Sequence, residues 1–278
     1  MTNWDFAYSE PVDISIDDWG SGTIVLAGEP TDTVTVEVLP SHHRADVGDL
    51  LDQVQVAFED GQLYVRGPRV ATFRRKQGLE LTIKAPPGSS CAAKTVSADL
   101  SCVGDVSAVT FQTASGDLTA ASVGGDVTVR SASGDVLLNR AAGALAVQTA
   151  SGDVQVSRVD GDIRVNTASG DVGIGFCLGP VTVHTASGDV RLAAVAAGPI
   201  ELASASGDLG VAVVPGMEVY LDLASNSGDI RSELDASGGG DTNEEQSAAA
   251  VEIRCRTTSG DIKITKARGV PSELAPQH

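Results

Sequence analysis

The sequence predicts an all-β protein: a parallel β-solenoid of about eighteen residues per coil, two short strands per coil, with an N-terminal β-rich capping module. Three observations carry that reading. Glycine falls at every ninth residue from Gly116 to Gly188, and seven of those nine glycines are followed at once by aspartate. Every second glycine sits in Thr/Ser-Ala-Ser-Gly-Asp, so the nine-residue unit has a full period of eighteen. Between the glycines, apolar and polar residues alternate, as in Val154, Val156, Ile163 and Val165, which is the period of a half-buried strand.

Residues 1–100 form the expected N-terminal module, rich in β-branched runs but without the nine-residue beat. Strands are expected at Val12–Ile16, Thr23–Leu26, Thr33–Val38, Gln53–Phe58, Gln62–Arg66 and Leu79–Lys84, separated by turn signals such as Asp60-Gly61 and Pro86-Pro87-Gly88. Ser41–Leu51 reads as a short helix or a loop. The module would cover the first open rung, whose unpaired backbone otherwise invites pairing with other chains.

Residues 101–267 form the expected solenoid. Nine residues are too few for a helical crossover, so each coil has two strands and two corners, and successive coils stack about 4.8 Å apart. Gly116-Asp117, Gly134-Asp135, Gly152-Asp153, Gly170-Asp171, Gly188-Asp189 and Gly207-Asp208 make the structural turn column. Glycine there tolerates positive φ or close packing, and aspartate bonds turn backbone. Small apolar residues stand two before each glycine, from Cys102, Ala114 and Val123 to Ala186, Ala196 and Ala205. They are expected to point inward, where a pinched corner holds nothing larger. Beyond Gly188 the steps lengthen, through Gly198, Gly207, Gly228 and Gly260. Residues 235–250, acidic and glycine-rich, are expected to be a mobile loop. Val251–Cys255 and Ile262–Ile264 are then expected to add one last rung, and residues 268–278 a disordered tail.

Leu81-Thr-Ile-Lys-Ala-Pro-Pro-Gly-Ser-Ser90, leading into repeated Thr/Ser-Ala-Ser-Gly-Asp-Val/Leu units, resembles the bacterial putative-adhesin family. The likeness spans roughly residues 10–265. It implies a β-strand-repeat domain of unknown function and no catalytic residues.

Composition narrows the function classes. Nineteen basic against thirty-seven acidic residues give a net charge of −18, so contacts with nucleic acid or an anionic membrane would be dominated by repulsion. Residues 1–15 show no basic start followed by an apolar run, and a cytoplasmic location is the expectation, with the cell surface as the alternative. The four cysteines form no Cys-x-x-Cys, which suits free thiols in a reducing compartment.

The aspartate column is the sharpest chemical feature. Two carboxylates about 4.8 Å apart repel by roughly 0.9 kcal/mol in water and about 3.5 at an effective dielectric near 20. Bonds from turn N–H groups or serine hydroxyls would offset this. Calcium at Asp135, Asp153 and Asp171 is the weaker reading: calcium rolls carry more glycines per nonapeptide than the one found here. Thr113, Ser131, Thr149, Thr167, Thr185, Ser204, Ser225 and Thr257 form a parallel hydroxyl column, expected to make a side-chain ladder along the stack. An ice-binding face is disfavoured, because the outward companions Gln112, Arg130, Gln148, Asn166 and His184 are bulky or charged. No Gly-x-Ser-x-Gly elbow occurs, and thin coils with short corners offer no sugar-holding cleft. His42-His43 lacks a ligand-spaced partner. Arg66, Arg69, Arg74, Arg75 and Lys76 form a basic patch, a possible partner contact with an acidic flank. The expected function is a non-enzymatic structural or protein-interaction scaffold, adhesin-like, with a protein partner or self-association, no cofactor and no metal. The alternative is a surface-exposed adhesin or calcium-binding repeat protein.

Overall fold

Alternating β-branched residues and glycine corners produce strands throughout. The computed structural model describes residues 1–41, 48–68, 78–234 and 251–268. The chain divides into two compact units, Met1–Gly152 and Asp153–His278.

The first unit begins with β1 (Thr2–Ala7), β2 (Asp13–Gly28), β3 (Thr33–Pro40), the short helix α1 (Gly48–Leu51), β4 (Gln55–Glu59), β5 (Gln62–Arg66), β6 (Leu79–Ala85) and β7 (Ser89–Gly104). β2 and β7 are each a whole coil in one strand of sixteen residues. Their first halves pair as Ile14 with Cys91 and their second halves as Ile24 with Leu100. The bend in β2 falls at a register shift between Ile16 and Trp19, beside Asp18 at φ 57°. Trp19 fills the inside of that corner, fully buried. β1, β3 and β6 pair antiparallel, Trp4 with Val36 and Val38 with Leu81, and β6 then lies parallel to β2. The hairpin β4–β5 joins the other half of β2. Phe6 of β1 stacks on Phe58 of β4 at 5.1 Å, with Tyr8 edge-on to the same ring at 5.2 Å. Aromatic rings thus bridge the two outermost strands of this β module.

From β7 onward the coils are parallel and in register every eighteen residues. Leu100 pairs with Leu118 and Leu118 with Val136; Cys91 pairs with Val109, Val109 with Val127 and Val127 with Leu145. The inward residues Val127, Val129, Val136, Leu138, Leu145 and Val147 are all buried, each contributing about 1.5–3 kcal/mol relative to exposure.

In the second unit one sheet runs through Val154–Val159, Val172–Cys177, Val190–Val195 and Leu209–Val213. The other runs through Ile163–Ser169, Val181–Ser187 and Ile200–Ser206. The stacking order then departs from the chain order. Ile200–Ser206 pairs with Val251–Ser259, which in turn pairs with Val219–Ser227. In the facing sheet Leu209–Val213 pairs with Ile262–Lys266, which pairs with Ile230–Ser232. Coil 251–266 is therefore inserted between coils 200–213 and 219–232, where a last rung at the end of the stack was expected.

Candidate functional site

The Gly-Asp corners are built by close approach of successive backbones. A Cβ at Gly134 or Gly152 would lie well under 3.0 Å from the carbonyl oxygen of Gly116 or Gly134, one coil earlier. Gly188, at φ 156°, adds a conformation that other residues rarely adopt.

Within each unit, aspartates that follow such glycines accept the backbone N–H of the aspartate on the next coil. In the first unit Asp117 N–H donates to Asp99 Oδ1 at 3.0 Å and Asp135 N–H to Asp117 Oδ1 at 2.9 Å. In the second unit the same bond runs from Asp171 to Asp153 at 2.9 Å, Asp189 to Asp171 at 2.8 Å and Asp208 to Asp189 at 2.9 Å. Asp261 then donates to Asp208 at 2.8 Å, and Asp229 to Asp261 at 2.8 Å. The acceptor bonds come from the neighbouring coil, not from the aspartate's own turn, so the column ties coils together. An N–H dipole also sits between successive carboxylates, which offsets their repulsion.

The facing corners explain where aspartate is dispensable. Asp126 Oδ1 accepts the N–H of Ala144 at 2.8 Å, the same inter-coil bond. Pro180 and Pro199 have no N–H to offer at their corners.

Two expectations about the corners are corrected. Ala114, Ala132, Ala150, Ala168, Ala186 and Ala205, which precede Ser-Gly-Asp, are exposed, whereas Cys102, Val123, Ala141, Val159 and Cys177 at the other corners are buried. At Thr-Ala-Ser-Gly the threonine takes the inward slot, continuing the alternation of the preceding strand. Thr149, Thr167, Thr185, Ser204 and Thr257 are accordingly buried, which removes them from any water-ordering surface. Nor do they form a continuous ladder. Thr95 donates to Thr113 at 3.0 Å, and Thr113 and Ser131 accept the N–H of Gly116 and Gly134 at 2.9 and 2.7 Å. The hydroxyls of Thr149, Thr167, Thr185 and Ser204 have no partner. Farther along the stack Gly170 and Gly188 donate instead to the carbonyls of Ser187 and Ser206, at 3.1 Å each.

The four thiols are free and buried. Burial pushes Cys102, Cys177 and Cys255 up to about 12, and Cys91, which also faces Cys102, well above the usual thiol range. His184 is exposed, paired in register with Asn166 and Ala203. Arg158, an outward residue the sequence did not single out, sits 5.5 Å over the ring of Phe176 and bonds Asp160 at 2.6 Å. Its partner ring belongs to a separate small apolar cluster with Ala194 and Ala267. Arg66 meets Asp18 at 3.6 Å. Arg69, Arg74, Arg75 and Lys76, the pair His42-His43, the segment 235–250 and the tail from 269 lie outside the described residues. Among the described residues no group of three or more His, Cys, Asp or Glu is placed to hold a metal ion. No described helix is long and apolar enough to cross a membrane.

A family model described as Toastrack DUF4097 matches residues 12–265. Among solved structures, the chain is similar to a putative adhesin from Bacteroides fragilis at 14% identity, with 95% of this chain and 96% of that one covered and a TM-score of 0.46. It is similar to a putative adhesin from Parabacteroides distasonis at 13% identity, 94% and 96% coverage and a TM-score of 0.34. A putative cell adhesion protein from Clostridium sporogenes matches at 10% identity, 95% and 99% coverage and a TM-score of 0.24. No curated protein matches the chain.

Proposed function

We propose, from the premise that this chain belongs to the Toastrack DUF4097 family, that it is a non-enzymatic interaction scaffold whose coil Val219–Ser232 receives an extended strand of a protein partner. One observation carries this reading. Coil 219–232 pairs on one side only among the described residues, with coil 251–266. Its inner column is half-open: Val219, Leu221 and Leu223 are partly exposed and Ile230 is 45% exposed, whereas Ile253, Cys255, Ile262 and Ile264 beneath them are fully buried. Tyr220, 68% exposed, stands beside this edge. An open strand edge with apolar side chains is a template for main-chain pairing with another strand.

The aspartate columns support a structural role, since their Oδ1 atoms hold backbone N–H groups and are not gathered around a cleft. The buried reduced thiols suit a reducing compartment such as the cytoplasm, which fractionation of the source cells tests directly.

The test of the scaffold reading is site-specific photocrosslinking in those cells. A benzophenone amino acid at Tyr220 is expected to give discrete protein adducts, and the same group at the exposed Leu137 is not. Equal adducts at both positions, or none at Tyr220, would remove the edge as the contact. Adducts of twice the chain mass would make the partner a second copy.

A further inference from the structure

An open groove of about 480 Å³ crosses the outer face of the first unit, at the ends of strands Val106–Gln112, Val127–Arg130 and Leu145–Ser151. Arg130 pairs in register with Gln112 on one side and Gln148 on the other, so three long polar side chains line the groove about 4.8 Å apart. Arg130 makes no ion pair or side-chain hydrogen bond among the described residues, although the chain carries a net charge of −18. The groove holds no carboxylate among its lining residues. Thr149 borders it with its outer atoms only, its Oγ1 being buried in the inward column. The equivalent Ser131, one coil earlier, is engaged by the N–H of Gly134.

We infer that this groove binds a carboxylated saccharide, with the carboxylate on Arg130 and neighbouring sugar hydroxyls on the amides of Gln112 and Gln148. The guanidinium of Arg130 is not used by the described residues, and its fork suits a carboxylate. A bare anion would need Arg130 alone. Two carboxamides, each both donor and acceptor, match groups that a sugar acid carries and a simple anion lacks. A peptide strand fits less well. The backbone here is already engaged, Thr113 N–H on the carbonyl of Arg130 at 2.9 Å and Ser131 N–H on that of Gln148 at 2.9 Å. The apolar floor consists of Ala132 and Ala150 only, which is no pocket for a side-chain anchor. This inference concerns the unit Met1–Gly152 and is independent of the strand-edge reading.

The test is calorimetric titration of the full chain with trigalacturonate, with neutral galactotriose and sodium acetate as comparison ligands at matched ionic strength. Saturable binding of trigalacturonate is expected, weakened about tenfold in Arg130→Gln, which removes a charge-assisted pair. Galactotriose is expected to bind at least about tenfold more weakly. Acetate binding as tightly as trigalacturonate would reduce the site to an anion contact and overturn the saccharide assignment. Absence of saturable binding up to about 10 mM, or binding unaffected by Arg130→Gln in a variant that melts normally, would overturn the site altogether.

Discussion

The backbone N–H of Asp189 donates to Oδ1 of Asp171, one coil earlier, at 2.8 Å. A side chain of one coil thereby fixes the corner of the next, and the sheets are joined by more than their own ladders. Asp171→Ala leaves the Asp189 N–H without that acceptor and is expected to cost about 1 kcal/mol, less than is usual for a charged acceptor because the corner faces solvent. Asp171→Asn keeps an acceptor oxygen and is expected to cost less. Urea melts of the two variants check the order; an alanine variant as stable as the wild type would show that the column is decorative.

The inter-coil bonds hold the aspartate column together without calling on calcium. With each Oδ1 already holding an N–H, millimolar calcium is expected to leave the melting temperature where magnesium at equal ionic strength leaves it. Specific binding would stabilise by mass action, so a rise of many degrees with calcium alone would restore the calcium-roll reading.

Gly152→Val is expected to destabilise strongly, by about 3 kcal/mol. Its Cβ would press on the backbone carbonyl of Gly134, which has no flexible end to move aside. Thermal unfolding should shift by roughly 2–4 °C per kcal/mol for a chain of this size, and an unchanged midpoint would contradict the observed packing.

The unpaired hydroxyl column makes the opposite prediction. Thr185→Val removes a buried oxygen that bonds nothing and keeps the shape of the side chain, so a gain of about 1 kcal/mol is expected. A loss of stability would reveal a hydrogen bond at that oxygen.

Where the sequence misled, the reasons are local. Strand and coil periods were plain because nine and eighteen are visible in the glycines from Gly116 to Gly188. β2 joins both of the expected strands Val12–Ile16 and Thr23–Leu26 into one. The chain bends within the strand, by a register shift and a positive φ at Asp18. The Thr-Ala-Ser corners were misphased by one residue: alanine fits a tight slot by size, but alternation from Val147 places Thr149 inside. The order of the last coils was illegible. Ser225 and Thr257 stand in identical Ser-Gly-Asp contexts, and a repeat cannot say which copy lies next to which.

The thiols give a prediction in alkaline solution. A folded-state value near 12 for Cys102, Cys177 and Cys255, against an ordinary 9.0, means the unfolded chain loses these protons first. Their contribution is intact below about pH 9 and is lost as pH rises toward 12. Stability should fall through that window, and more gently in Cys177→Ala measured against its own neutral-pH value. At pH 8 the folded chain should resist iodoacetamide, and rapid labelling would contradict the burial.

Coil 251–266 lies beneath coil 219–232 although it is synthesised after it. A ribosome therefore delivers the covering layer before the layer it covers, and assembly in the order of translation cannot finish this end of the second unit. Residues 219–232 must wait, unpaired or misplaced on coil 200–213, until residues 251–266 have emerged. A premature stop codon after residue 234 would accordingly delete an interior layer rather than an outer one, stranding the coil already made. A frameshift between the codons for residues 234 and 251 should likewise remove a layer on which coil 219–232 depends.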